Sequence, residues 1–484
     1  MAVNSELKRY FFVLLGFAIL LLFYFMPPLN PAVDPMGKTF ELSQAGKAGL
    51  GLFLLAGIWW VFEVIPIGVT SIAIGVLQPV FGIRPAKEAF RDFMDPTVMF
   101  ILGSLLVGLA FTQCGITKRI AYKMLVIVGE DTRKILLGVF VLTALLTHVM
   151  AHTAVAGTMF PILMSILALY GGDLNKPSKF GKALFIGMAF AAGAGSICTL
   201  MGGARNPAAV GFYKEFTGQD VSFLQFSAAL APFGWVTVFL IFFLMITIFK
   251  PEKIKVPGLR QRAQQELAKL GPISKQEIFV LVVVALALCT LIFQKFIPAL
   301  KGMDRSVPLL AAGLIFFITK VLTVKDLEKS IPWNIVLLFS GAMSIGFALW
   351  QTGAAEWMAV SWLSLIKDAP WLVFLLGISL LVLILTNFIM NVAAISICLP
   401  VALVIAKYLG VNPEIVLYSS VAMAGMPFLL LIGAAPNAIA YESKQFSTGE
   451  FFVTGIPASL AILAMVAIFS LTFWPIIGIP ALVH

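Results

Sequence analysis

A chain of 484 residues in which 60% are hydrophobic and only 12% charged carries too little charge for a water-soluble domain, where roughly 25% is usual. Its net charge of +10 sits in short segments between apolar runs, so it marks membrane topology rather than nucleic-acid binding. The four cysteines (Cys114, Cys198, Cys289, Cys398) lie in apolar stretches with no C-x-x-C spacing and read as small packing residues.

Lys8 and Arg9 precede the apolar run Tyr10–Met26, which Pro27 and Pro28 close. The run is longer than a signal-peptide core and no A-x-A site follows it, so a first span is expected rather than a cleaved leader. Further runs follow at Ile135–Leu145, Leu184–Thr199, Phe233–Phe249, Ile278–Phe293, Leu372–Leu385 and Ile456–Phe473. Crossing about 30 Å of hydrocarbon takes ~20 helical residues. The longer runs reach this with their flanks, and the shorter ones need a break or a polar insertion. The fold class predicted is an all-α polytopic membrane protein. The basic residues Lys250, Lys253, Lys255, Arg260, Arg262, Lys269 and Lys275 place the linker between the two halves, and the N-terminus with it, in the cytoplasm. No Lys, Arg, Asp or Glu follows Glu450, which predicts an outward-facing C-terminus.

The two halves repeat. Thr147-His-Val-Met-Ala-His-Thr-Ala…Pro161 aligns with Thr386-Asn-Phe-Ile-Met-Asn-Val-Ala…Pro400, and Gly103, Gly108 and Gly115 align with Gly341, Gly346 and Gly353. Leu200-Met-Gly-Gly-Ala-Arg-Asn206 aligns with Leu431-Ile-Gly-Ala-Ala-Pro-Asn437. Three matches in one order at nearly constant spacing indicate the repeat architecture of secondary transporters, whose substrate lies between repeats near the midplane.

Two interrupted pairs point to that site. Met150-Ala151-His152-Thr153 and Ile389-Met390-Asn391-Val392 place polar groups within apolar segments. A helix broken there exposes unpaired N–H groups at the positive end of its dipole, an anion site. Two such ends facing each other fit a dicarboxylate. The competing reading is a His and an Asn bonded between continuous helices. His148 and His152 share a helical face, but two ligands without nearby Cys, Asp or Glu do not make a metal site. The second pair, Gly202-Gly203-Ala204-Arg205-Asn206-Pro207 and Gly433-Ala434-Ala435-Pro436-Asn437, reads as irregular backbone lining a cavity. Arg205 either serves that site or snorkels to the interface. In Trp59-Trp60-Val-Phe-Glu63-Val-Ile-Pro66, Glu63 either pairs with a polar neighbour or carries a proton.

At these motifs the sequence resembles the divalent anion/sodium symporter family of di- and tricarboxylate carriers. Ile58-Trp-Trp-Val-Phe-Glu-Val-Ile-Pro-Ile67 is similar to its W-W-x-x-E-x-I-P segment. Asp95-Pro96 through Gly115-Ile-Thr-Lys-Arg119 resembles its first re-entrant hairpin, and Ile331-Pro-Trp-Asn through Gln351-Thr-Gly-Ala-Ala-Glu-Trp357 its second. The resemblance implies a homodimer in a plasma membrane, about eleven spanning helices per protomer, and a scaffold with an elevator-type transport domain of two inverted repeats. It divides the chain into N-terminal scaffold helices (1–94), a first repeat (95–249), a cytoplasmic linker with scaffold helices (250–330) and a second repeat (331–484). It implies substrate contacts at Ala151, His152, Thr153, Gly202, Arg205 and Asn206, and at Met390, Asn391, Val392, Gly433, Pro436 and Asn437. Coupling sodium, if bound, would involve Thr147 and Thr386.

The family's two Ser-Asn-Thr motifs are Ala151-His152-Thr153 and Met390-Asn391-Val392 here. Loss of oxygen ligands weakens a hard-cation site, while Arg205 adds fixed positive charge. The expectation is therefore sodium-free exchange of dicarboxylates, with a sodium-coupled dicarboxylate or citrate symporter as the alternative. No cofactor is expected. A membrane enzyme would need a nucleophile–base pair or a carboxylate cluster, and the sequence offers neither.

Overall fold

The computed structural model describes residues 2–33, 39–62, 64–171, 176–294, 296–300, 302–366, 370–388 and 390–483. The chain opens with α1 (Ala2–Phe25), a small antiparallel pair β1 (Ala32–Val33) and β2 (Thr39–Phe40), and α2 (Gln44–Val61) packed on α1. It continues through α3 (Ile67–Val80), α4 (Ala86–Arg91), α5 (Pro96–Gln113), α6 (Ile116–Val128), α7 (Thr132–Leu146), α8 (His152–Tyr170), α9 (Lys179–Ser196), α10 (Arg205–Thr217) and α11 (Phe223–Ile248). The linker helix α12 (Leu259–Lys269) separates this half from the next. The second half runs α13 (Lys275–Phe293), α14 (Ser306–Ile318), α15 (Val324–Lys329), α16 (Trp333–Gln351), α17 (Ala354–Ile366), α18 (Trp371–Phe388), α19 (Asn391–Tyr408), α20 (Pro413–Ala424), α21 (Ala435–Tyr441) and α22 (Thr448–Leu471), with a last turn α23 (Phe473–Ile476).

Helix by helix, α2–α11 corresponds to α13–α22. The same local chemistry starts matching elements: α11 and α22 both open with a capping box, Ser222 with Gln225 and Ser447 with Glu450. The turns before α6 and α17 both use a left-handed glycine, Gly115 at φ 83° and Gly353 at φ 74°. The halves also exchange partners in a paired manner. Helix α3 packs on α16 while α14 packs on α5, and α10 packs on α19 and α20 while α21 packs on α8 and α9. A pseudo-two-fold relation between repeats accounts for this reciprocity.

Among the described residues, eight helices are long and apolar enough to span a bilayer, fewer than the resemblance implied. Several of the others are shorter because the chain turns back on itself. The clearest case is α7. Gly187 and Gly195 of α9 sit directly against Phe140 and Ala144 of α7, so α7 and α9 run parallel. Along α8, Phe160 meets Phe185 and Tyr170 stacks on Phe180, so α8 and α9 run antiparallel. Helices α7 and α8 therefore form a re-entrant hairpin whose tip is residues 147–151. In the second half the α18 and α20 ends meet, with the Thr386 hydroxyl 3.0 Å from Ala424 O. A short turn joins α19 to α20, which makes α18–α19 the matching hairpin. The pairs α5–α6 and α16–α17, where the resemblance placed the two re-entrant hairpins, are helix–turn–helix units whose first helices are themselves long and apolar enough to span; the motif-bearing tips belong to α7–α8 and α18–α19. What reads in the sequence as a broken spanning helix is a reversal of direction, because apolar pattern alone does not distinguish a kink from a turn.

Candidate functional site

Each hairpin tip leads directly into a helix start. Helix α8 begins at His152 after Ala151 (ψ 135°) and α19 at Asn391 after Met390 (ψ 141°), both extended N-cap residues without a side-chain cap. The positive dipole ends of two long helices thus meet no capping side chain, although in α8 the His152 and Ala154 N–H groups already reach Gly202 O at 3.4 Å and Ala151 O at 2.9 Å. Thr153 follows His152 on the first start and is half-buried, while Val392 follows Asn391 on the second and is buried. His152 is half-buried, and its Nδ1 is shut from solvent with no hydrogen-bond partner. Its backbone N–H points to Gly202 O at 3.4 Å.

The second pair of interruptions lies against these tips. The loop between α9 and α10 is tied by Asn206, whose Nδ2 donates to Ser196 O and Thr199 O at 2.7 Å each. The loop between α20 and α21 is tied the same way by Asn437, donating to Pro427 O at 2.8 Å and Leu430 O at 3.2 Å. Both asparagines reach back ten and seven residues, so they are structural equivalents. Gly202 and Gly433 let these loops approach the hairpins: a Cβ on Gly202 would strike the Thr147 carbonyl, and one on Gly433 would lie 2.9 Å from Thr386 O. Sequence positions 50 residues or so apart are thereby joined at one place in each half, and Thr199 reinforces the joint by donating to His148 O at 2.7 Å.

The halves differ in polarity. In the second, the Thr386 hydroxyl is 3.0 Å from Asn391 Oδ1 and from Ala424 O, which gathers oxygen atoms suited to a hard cation. In the first, the Thr147 hydroxyl donates to Ala144 O at 2.7 Å, and His148 Nδ1 sits 2.7 Å from the same carbonyl. Pro436 is buried, and the equivalent Arg205 is 1% exposed. Arg205 therefore does not snorkel. It donates to Ser196 Oγ at 2.5 Å and leaves Nε buried and unpartnered. Among the described residues no carboxylate lies within ion-pair distance of it.

Sequence reasoning missed two residues here. Asn387 accepts the Leu429 and Leu430 N–H groups at 2.9 and 3.0 Å and so locks the second tip to its loop. It aligns with His148, a signal already present in the Thr-His and Thr-Asn dipeptides. Ser196 was passed over because hydroxyls are unremarkable in apolar helices. Glu63 lies outside the described residues, as does Ile389 of the second tip. No group of His, Cys, Asp and Glu among the described residues could hold a metal ion.

Paired hairpins, paired broken helices and polar residues at the matching tips of two repeats define a membrane transport protein. The chain matches the family described as the sodium:sulfate symporter transmembrane region over residues 14–479, and it belongs to that family. It is similar to the sodium-dependent dicarboxylate transporter SdcS of Staphylococcus saprophyticus subsp. saprophyticus, 26% identical over 460 residues, covering 91% of this chain and 88% of the relative. The SdcS of Staphylococcus aureus is 26% identical over 449 residues, covering 88% and 86%. In fold it resembles the Alcanivorax borkumensis YdaH transporter, with a TM-score of 0.59, 15% identity and coverage of 98% and 99%. Neisseria gonorrhoeae MtrF has a TM-score of 0.57, 14% identity and coverage of 96% and 94%.

Proposed function

We propose that this protein is a secondary carrier of C4 and C5 dicarboxylates in a plasma membrane, working as a homodimer. The observation that carries the reading is the pair of uncapped helix starts at His152 and Asn391, one from each repeat. Each would take one carboxylate on its N–H groups. Ala151, His152, Thr153, Gly202, Arg205 and Asn206 would form one side of the site, and Met390, Asn391, Val392, Gly433, Pro436 and Asn437 the other. Relatives named as dicarboxylate transporters support the substrate class.

On coupling, the same names favour sodium-driven symport, and the oxygen cluster at Thr386, Asn391 and Ala424 suits a sodium ion. That is the leading reading, ahead of the exchange mechanism expected from sequence. Exchange keeps one supporting observation, the buried Arg205 without a carboxylate partner, whose charge could stand in for a cation on the substrate. Counterflow of labelled succinate in proteoliposomes, with sodium or with choline, tests both. Succinate uptake that competes with malate but not lactate supports the dicarboxylate site, and lactate competing equally overturns it. Dependence on sodium selects symport; full activity in choline, given internal substrate, selects exchange.

A further inference from the structure

The loops that Asn206 and Asn437 tie are equivalent residue for residue, so each residue around Arg205 can be compared with its counterpart around Pro436. Ser196 corresponds to Pro427, Gly203 to Ala434 and Arg205 to Pro436. The three first-half residues form one object. The Arg205 guanidinium donates to Ser196 Oγ at 2.5 Å, and Ser196 Oγ in turn donates to Gly193 O at 2.6 Å, which leaves its lone pairs turned to the arginine. A Cβ on Gly203 would lie 2.6 Å from one terminal nitrogen of that guanidinium and 3.0 Å from its carbon. Across the molecule, a Cβ on Gly425 of the second-half loop would lie 2.8 Å from the other terminal nitrogen and 3.2 Å from Nε. Where arginine is replaced by Pro436, the hydroxyl and the bare glycine are replaced as well. Gly203 has no left-handed φ, and its equivalent is an alanine, so its lack of a side chain serves the guanidinium rather than the backbone.

We infer that Ser196, Gly203 and Gly425 are a dedicated cradle that positions Arg205 for one end of a dianionic substrate, and that they thereby set the carrier's preference for two negative charges over one. Ser196 holds one edge of the guanidinium. The two glycine backbones wall its sides, Gly425 along the edge that carries the unpartnered Nε, and neither puts a side chain between that edge and an anion. Because one wall comes from each half, the arginine is aimed only when both loops are in place. The inference rests on the dicarboxylate reading for its substrate, but the cradle itself is testable without it.

The experiment is a double-mutant cycle on the full-length protein. Succinate and lactate binding are measured for wild type, Ser196→Ala, Gly203→Ala, Arg205→Ala and the two doubles that combine each cradle change with Arg205→Ala. Each cradle variant is expected to weaken succinate binding about tenfold, one charge-assisted hydrogen bond's worth, and to leave lactate unchanged. In the Arg205→Ala background, neither change should weaken succinate further, since its only route of action is gone. Equal losses in both backgrounds, or cradle variants that bind succinate normally, overturn the inference. If wild type binds no dicarboxylate, it is the substrate reading that fails. The cycle is then read on the unfolding temperature of the ligand-free protein, where Gly203→Ala should be destabilising with Arg205 present and neutral without it. Additivity there overturns the cradle.

Discussion

His152 and Asn391 occupy equivalent places, yet their surroundings differ. Asn391 Oδ1 already has the Thr386 hydroxyl at 3.0 Å, while His152 Nδ1 has no partner. A buried polar atom left unpaired costs free energy that a ligand can recover. His152→Ala should therefore weaken dicarboxylate binding by at least ~1.5 kcal/mol, the scale of a hydrogen bond to a charged group, and Asn391→Ala, which removes the side-chain amide at the second helix start, by as much. Isothermal titration or ligand-induced thermal shift reads this, and unchanged affinity in both variants would reduce the two residues to packing. Arg205→Ala probes the first side differently. Removing a buried, carboxylate-free guanidinium relieves a desolvation cost, so the ligand-free protein should not lose stability even as dicarboxylate transport falls. A large drop in ligand-free unfolding temperature would make Arg205 structural.

At the scale of elements, the linker between the halves acts as a strap across the base of the first hairpin. Glu252 accepts the Lys179 and Phe180 N–H groups at 2.5 and 3.2 Å and the Tyr170 hydroxyl at 3.1 Å. Thr132 and Val256 tie the same segment to the start of α7. Farther along, Arg119 of α6 holds the end of α12 and the start of α13. It contacts both Glu277 oxygens at 2.7 and 3.0 Å and the Gly271 carbonyl at 2.7 Å. Glu277 is 3% exposed but keeps the Ser274 N–H at 2.6 Å, so Arg119→Ala removes one of its two partners and should cost about 1.5–3 kcal/mol, the scale of a hydrogen bond to a charged group. Hydrogen exchange over residues 259–277 should rise sharply, and unchanged protection would show that helix packing alone secures the linker. The strap should also respond to pH. Burial pushes Glu252 up, but the N–H groups of Lys179 and Phe180 and the Tyr170 hydroxyl outweigh it and hold its carboxyl below the ordinary range. Its stabilisation is present above the unfolded-state pKa and disappears as pH falls through the depressed folded-state value. Protection at residues 250–256 should therefore decline on acidification, and a Glu252→Gln variant should flatten that decline.

For the whole molecule, the reciprocal packing of α3 on α16 and α14 on α5, and of α10 and α21 on the opposite hairpins, makes the two repeats mutually dependent. The proposed site draws residues from both, so neither half should bind substrate alone. If the proposed pair of helix starts takes one carboxylate each, the site should show a length preference among α,ω-dicarboxylates, with four- and five-carbon acids favoured over longer ones. A competition series from malonate to adipate measures it, and a flat series would remove the two-ended site.

The sequence by itself determined the membrane class, the two-fold repetition and the positions of both interruptions, because these follow from local quantities: apolar run length, glycines matched between the halves and repeated spacing. It also singled out Arg205 as the member that breaks the repeat. Only the tertiary structure decided that residues 147–151 are a hairpin tip, since reversal and kink share the same apolar pattern and differ only in what α9 touches. Burial of Arg205, the lock between Asn387 and the 429–430 backbone, and the roles of Ser196, Gly203 and Gly425 were decided there too. Each depends on contacts between segments far apart in the chain, where no spacing rule operates, and Gly425 reaches Arg205 from the other repeat altogether.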